Sequence, residues 1–224
     1  MSGDSQRVLR NATQVVETLA DSGALTVAEI AEQLHAPRTT IHRLVEGLSN
    51  GGYIDQWPGG QFALSGQWLG LADAARKNLP RGDRLDPVLT SIVKRTQLTA
   101  FVSVPHRGEM LCVEWLPGSG IDLLNYRPGS ILPLRRGAAG RVLAAYEAGA
   151  YELEQDQELQ AIRARGYAIS EGDVTPGIAA VGVPIFAPRG SVYGALSVGG
   201  LEGDIIGRIA ELADVLVEET ARLH

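Results

Sequence analysis

The chain has 224 residues, 45% of them hydrophobic, which is room and apolar surface enough for one large domain or two modest ones and excludes a disordered polymer. No apolar run approaches the roughly 20 residues of a bilayer-spanning helix, and Met1 to Arg10 lacks a signal-peptide core, so a soluble cytoplasmic protein with no membrane contact is expected. The net charge of −6 argues against a protein that coats nucleic acid, while the single Cys112 and four scattered histidines leave no disulfide, no metal constellation and no expected cofactor.

From Gln6 to Ala20 the apolar residues Val8, Ala12, Val15, Val16 and Leu19 keep a 3.6-residue period, and Asp21-Ser22-Gly23 ends it, which predicts a first helix. Thr26 followed three residues later by Glu29 is a capping box, and Val27, Ile30, Ala31 and Leu34 form one stripe of a short second helix. Pro37 suits the first turn of a third helix, where its missing donor costs nothing; Ile41, Leu44, Val45 and Leu48 face inward and Asn50-Gly51-Gly52 stops it. Tyr53 to Asp55 and Gln61 to Leu64 read as strands of a hairpin turned by Trp57-Pro58-Gly59-Gly60. Three helices and a hairpin make a winged helix-turn-helix pattern over residues 1–65.

The third helix carries Arg38, Thr39, Thr40, His42 and Arg43 at its start and on the face opposite its apolar stripe, with Glu46 beyond. Such residues reach phosphates and base edges when a helix enters the major groove, and the positive helix end favours phosphate nearby. Against DNA binding stands the charge of residues 1–64, four arginines to seven acids. A solvated polar face, or a winged helix that contacts protein, is the alternative reading. A DNA binder built this way concentrates a few arginines on one helix, depends weakly on salt and relies on a paired half-site.

Gln67 to Asn78 reads as a connecting helix, and Leu79-Pro80-Arg81-Gly82-Asp83 as a boundary, so residues 66–84 are expected to link to a second domain over residues 85–224. There a helix from Pro87 to Thr96 precedes strands at Leu98 to Val104, Met110 to Trp115, Ile121 to Tyr126 and Ile131 to Leu134. Helices follow at Ala138 to Ala148 and Leu153 to Arg165, then strands at Gly177 to Phe186 and Val192 to Val198. A last helix carries Ile205, Ile206, Ile209, Leu212, Ala213, Leu216 and Val217 as its apolar stripe. The fold class is α+β, with helices packed on an antiparallel sheet.

No enzyme is expected. There is no P-loop, no dinucleotide fingerprint and no Gly-x-Ser-x-Gly; His106 sits in a turn, and the acidic pairs Glu152/Glu154 and Asp156/Glu158 read as solvated positions on a polar helix. Cys112, between Leu111 and Val113, reads as a buried apolar residue rather than a redox sensor.

The run Leu34-His35-Ala36-Pro37-Arg38-Thr39-Thr40-Ile41-His42-Arg43-Leu44-Val45, with Leu48 and Gly52-Tyr53 before the hairpin, resembles the DNA-binding domain of the IclR family of bacterial transcription regulators. Three further stretches fit in order: Gly129-Ser130-Ile131-Leu132-Pro133-Leu134 with Ala138 to Ala144, Ile162 to Tyr167, and Gly177 to Phe186 with Ala195 to Gly200. The resemblance implies a linker helix and a GAF-like α/β domain that binds a small effector, a carboxylic acid or aromatic metabolite. It also implies operator binding as dimers or tetramers that meet through the DNA-binding domains.

Carried over by position, the effector site is walled by Ile121, Leu124, Leu132, Leu134 and Ile178, with a polar end from Ala138, Ala139, Ser170, Ala180, Ser197 and Gly199. Ala138 and Ala139 open a helix, so their N–H groups suit a carboxylate. Ser170 stands where an acid is common, and Ala180 and Gly199 stand where a hydroxyl or thiol occurs, so a larger or more apolar effector is expected. Arg135 and Arg136 read either as a solvated surface or as one cation for an anionic ligand.

Overall fold

The computed structural model describes residues 2–78, 82–119, 126–147 and 149–223. The chain forms two compact units, Met1–Asn78 and Leu79–His224. No described helix is long and apolar enough to cross a membrane.

The first unit runs α1 (Ser2–Ser22), β1 (Leu25–Thr26), α2 (Val27–Gln33), α3 (Arg38–Asn50), β2 (Ile54–Trp57), β3 (Gln61–Leu64) and α4 (Gln67–Lys77). Its antiparallel sheet has the order β1-β3-β2, and the two-residue β1 is too short to announce itself by alternation. Val15, Leu19, Ile30, Ala31, Ile41, Val45 and Ile54 make the core. The capping box is formed: Glu29 N–H donates to Thr26 Oγ1 at 3.3 Å, and Glu29 Oε2 accepts from the Thr26 N–H at 2.7 Å and its hydroxyl at 2.8 Å. The Thr26 backbone bond first, then its hydroxyl, hold the Glu29 carboxyl below its ordinary range. A Thr26→Ala variant is expected to lose about 1 kcal/mol of stability, read from urea unfolding.

Pro37 stands at the N-cap of α3 and not in its first turn. Its φ of −59° suits a helix but its ψ of 132° is extended, and its carbonyl accepts from Thr40 and Ile41. The hairpin is tied to α4 by Trp68, whose Nε1 donates to the Tyr53 carbonyl at 2.7 Å.

The second unit runs α5 (Gly82–Thr96), β4 (Thr99–His106), β5 (Glu109–Leu116), β6 (Ile131–Pro133), α6 (Gly137–Glu147), α7 (Ala150–Gln155), α8 (Gln157–Arg165), β7 (Ala168–Glu171), β8 (Ile178–Phe186), β9 (Val192–Leu201), α9 (Glu202–Ile205) and α10 (Ile209–Ala221). Six antiparallel strands have the order β6-β5-β4-β9-β8-β7. Period-two alternation gives the sheet two coated faces. Ala100, Val102, Val181, Val183, Leu196 and Val198 pack on Leu85, Leu89 and Ile92 of α5 and Leu212 and Leu216 of α10. On the other face Met110, Ala168 and Ala195 meet Val142 and Leu143 of α6 and Leu159 and Ile162 of α8.

A fully buried carboxylate clips α5 to α10. Glu219 Oε1 accepts from Ser91 Oγ at 2.6 Å and Arg95 Nη1 at 3.0 Å, and Oε2 accepts from Arg222 Nη1 at 3.0 Å.

Several expected elements differ. Ile121 to Asn125, the body of an expected strand, lie outside the described residues, as do Leu79, Pro80 and Arg81 of the expected boundary. The expected helix from Leu153 to Arg165 is two helices, because the Asp156 carboxylate turns back to accept from the Glu158 and Leu159 N–H groups and starts α8 anew. Its pairing with Arg135, above all, keeps Asp156 acidic, so Asp156 and Glu152 are engaged rather than merely solvated. The last stripe is dephased by a 3₁₀ turn at Ile206–Arg208: Ile206 and Val217 are half exposed, and Val215 and Leu223 are buried.

Candidate functional site

Two surfaces carry the chemistry, one on each unit. In the first unit Ile41 and Val45 anchor α3 in the core, which turns Arg38, Thr39, His42, Arg43 and Glu46 outward and leaves Thr40 half-buried. Pro37 supplies no capping side chain, so the Arg38 and Thr39 N–H groups precede any helical acceptor. Arg7 and Asn11 of α1 share a groove with Thr39, Thr40 and Arg43. Two guanidinium groups and two hydroxyls thus converge beside the start of α3, donors suited to phosphate oxygens and base edges. The hairpin adds no Lys or Arg; Trp57 at its tip is exposed. Arg7 and Arg43 line this groove and Arg38 is exposed at the start of α3, with Glu46 exposed further along the helix, while the acid of the capping box is turned to its own backbone.

In the second unit a cavity of about 60 Å³ lies between the sheet and the start of α6. Leu132, Ala138, Ala139, Ser170, Ile178, Ala180, Ser197 and Gly199 line it. Leu134 packs instead with the cluster around α6 and α8, and Ile121 and Leu124 lie outside the described residues. Alternation explains the gathering: Ser170 pairs with Ala180, Ala180 with Gly199 and Gly182 with Ser197 across β7, β8 and β9, so one face presents small and hydroxyl side chains to the helix. Small residues are required there. A Cβ on Gly182 would stand 3.1 Å from the Ala138 carbonyl carbon and 3.2 Å from the Ala139 nitrogen, so α6 rests directly on β8.

Sequence reasoning missed the aromatic wall. Phe101 and Tyr126 line the cavity with Met110, Val174 and Thr175. Phe101 stands opposite Ser197 in the β4–β9 ladder, so alternation on Leu98 to Val104 carries the signal once the strand order is known. The ring of Phe101 also explains why the missing side chain at Gly199 does not enlarge the space: it lies 3.3 Å from where that Cβ would be. Tyr126 hydrogen-bonds Ser103 at 2.9 Å, and burial pushes its hydroxyl pKa upward.

Ser170 and Ser197 are each 4% exposed. Both line the cavity. Among the described residues no charged side chain lines the cavity. Arg135 does not serve it: its guanidinium pairs with Asp156 and Glu152, held by a backbone φ of 75°. Arg136 donates to the Asp173 carbonyl.

Cys112 is fully buried behind Phe101, and burial, then the Glu114 charge, push its thiol up to about 12. At pH 8 the native protein is expected to leave an aromatic disulfide reagent such as DTNB unreacted, and the unfolded chain to release one equivalent. Prompt native reaction would contradict this burial.

A family profile for the IclR helix-turn-helix domain matches residues 8–58, and one for the bacterial transcriptional regulator IclR C-terminal domain matches residues 152–222, together more than half of the chain. The HTH-type transcriptional regulator BhcR of Paracoccus denitrificans is 24% identical, over 97% of this chain and 86% of that one. A crystal structure of an IclR transcriptional regulator from Alicyclobacillus acidocaldarius superposes with a TM-score of 0.80 at 26% identity, covering 97% of each chain. That of an IclR homologue from Microbacterium hydrocarbonoxydans, complexed with 4-hydroxybenzoate, superposes at 0.80 with 20% identity, over 96% of this chain and 97% of that one. The chain belongs to the IclR family of bacterial transcriptional regulators, and is a DNA-binding regulator and not an enzyme.

Proposed function

We propose that this regulator binds a paired operator as a homodimer, reading each half-site with Arg38, Thr39, Thr40, His42 and Arg43 of α3, and that a small organic effector in the second unit modulates the binding. The winged helix-turn-helix of residues 1–65 then reads DNA, the segment 66–84 links, and the GAF-like domain of residues 85–224 senses. Exposed apolar side chains on the first unit, Val8 and Leu9 of α1 and Leu69 and Leu71 of α4, support pairing through that unit. The protein works in the cytoplasm, where its operator is.

The observation that carries the effector reading is an apolar cavity at the start of a helix with two serines, Ser170 and Ser197, each 4% exposed, in its lining. A carboxylate or aromatic metabolite fits that chemistry, with its acid at the helix start and its body against Phe101 and Ile178. The homologue crystallised with 4-hydroxybenzoate supports this class of ligand. A thermal-shift screen of small carboxylic acids and phenols tests it. A true effector at 100 times its Kd is expected to add about 2.7 kcal/mol to stability and to change operator affinity. The double variant Ser197→Ala, Ala180→Leu is expected to lose that shift; an undiminished shift would refute the cavity as the site. A protein-contacting winged helix, the competing reading, predicts no binding to the region upstream of its own gene at any salt concentration.

A further inference from the structure

Asp173 lies in the loop between β7 and β8 and reaches back to the first turn of α6. Its Oδ2 accepts from the Gly137 N–H at 3.0 Å and from Arg141 Nη2 at 3.2 Å, while its carbonyl accepts from Arg136. The residues on both sides of this contact, Gly137 on the helix and Val174 and Thr175 on the loop, line the cavity. An acid of the protein itself therefore occupies the positive end of α6 at the cavity rim, the place where unpaired N–H groups and the helix dipole favour an anion.

The hold is incomplete. Asp173 Oδ1 and Arg141 Nε are both buried without a hydrogen-bond partner, so a carboxylate–guanidinium pairing that could make two bonds makes one. Buried polar atoms left unpaired weaken the state that contains them, here the closed seam between loop and helix. Independently, Ser170 and Ser197, each 4% exposed, place two hydroxyl-bearing side chains in the lining of the same otherwise apolar cavity.

We infer that Asp173 is a built-in competitor for the acid group of the effector: a ligand carboxylate at the start of α6 takes over the Gly137 N–H and the Arg141 guanidinium, and Asp173 leaves with its loop. This rests on the cavity being the effector site. One anion replaces another, so the exchange preserves the charge at the helix end, and an uncharged ligand of the same shape cannot drive it. Loop displacement also reaches α9, because the Glu202 N–H donates to the Gly177 carbonyl at the far end of the same loop. Ligand charge is thereby converted into movement of a segment.

The test compares isobutyrate and benzoate with isobutyramide and benzamide on the full-length protein and its Asp173→Asn variant, by thermal unfolding and by hydrogen–deuterium exchange of residues 172–177. In the wild type the carboxylates are expected to raise the midpoint and to speed loop exchange about tenfold, and the amides to leave exchange unchanged. In Asp173→Asn the loop is expected to exchange fast without ligand, and the carboxylates to bind about tenfold tighter, the opposing charge being gone. A raised midpoint with loop exchange slowed or unchanged overturns the inference and leaves the cavity reading standing. So does unaltered carboxylate affinity in Asp173→Asn, the mark of a merely structural tie. No midpoint shift with any probe in either protein means the cavity is not the effector site, and the inference falls with it.

Discussion

Arg43→Ala is expected to weaken operator binding about 100-fold or more, since under the proposed dimeric reading each of two half-sites loses a guanidinium contact of roughly 1–3 kcal/mol. Arg43 is exposed on α3, opposite Ile41 and Val45, and lines the groove beside the helix start. Its removal opens no cavity and unpairs no buried group, so the melting temperature should not move. The effect is large because the first unit is acidic, with four arginines against seven acids in residues 1–64, and few cations share the contact with phosphate. For the same reason the logarithm of affinity should fall only shallowly with the logarithm of salt concentration, and Arg43→Ala should make the slope shallower still. Electrophoretic mobility shift or fluorescence anisotropy on an upstream fragment reads both quantities. Binding unchanged by the substitution would remove α3 from the interface.

The largest stability effect is expected where Glu219 is buried. Removing its two cations among the described residues, Arg95→Ala with Arg222→Ala, leaves a buried carboxylate whose remaining described side-chain partner is the Ser91 hydroxyl, and a loss of about 3–5 kcal/mol is expected. A third change, Glu219→Leu, should return most of it, because the loss comes from a stranded charge rather than from two missing arginines. Urea unfolding of the three proteins decides the matter. If the triple variant is no more stable than the double, the arginine stems hold α5 to α10 by packing, and the carboxylate is incidental.

The helices of the first unit were readable because each has a local cause: a 3.6-residue stripe, the Thr26–Glu29 capping box, and Gly51 and Gly52 at the end of α3. Cys112 was readable as a buried residue from its apolar strand neighbours. What failed to show depends on distant partners. β1 and β7 are two and four residues long and become strands only by pairing with β3 and β8. Asp156 reads as one polar residue among many until its carboxylate is seen to cap α8 and pair with Arg135. Around the cavity, the small residues and serines came from matching stretches of sequence. Phe101, Met110 and Tyr126 come from strands and loops whose adjacency is set by the strand order β5-β4-β9-β8, which no local signal records. Gly199 shows the same dependence: an absent side chain suggests space, and a ring contributed from β4 lies 3.3 Å from where that Cβ would be.

The contact of α6 with β8 at Gly182 joins peptide plane to peptide plane. The spacing of α6 from β8 at this point is consequently a property of the main chain, since the atoms that a side chain there would meet are main-chain atoms that no rotamer change can move aside. Position 182 therefore sets how closely helix and sheet approach, and any side chain there must push them apart.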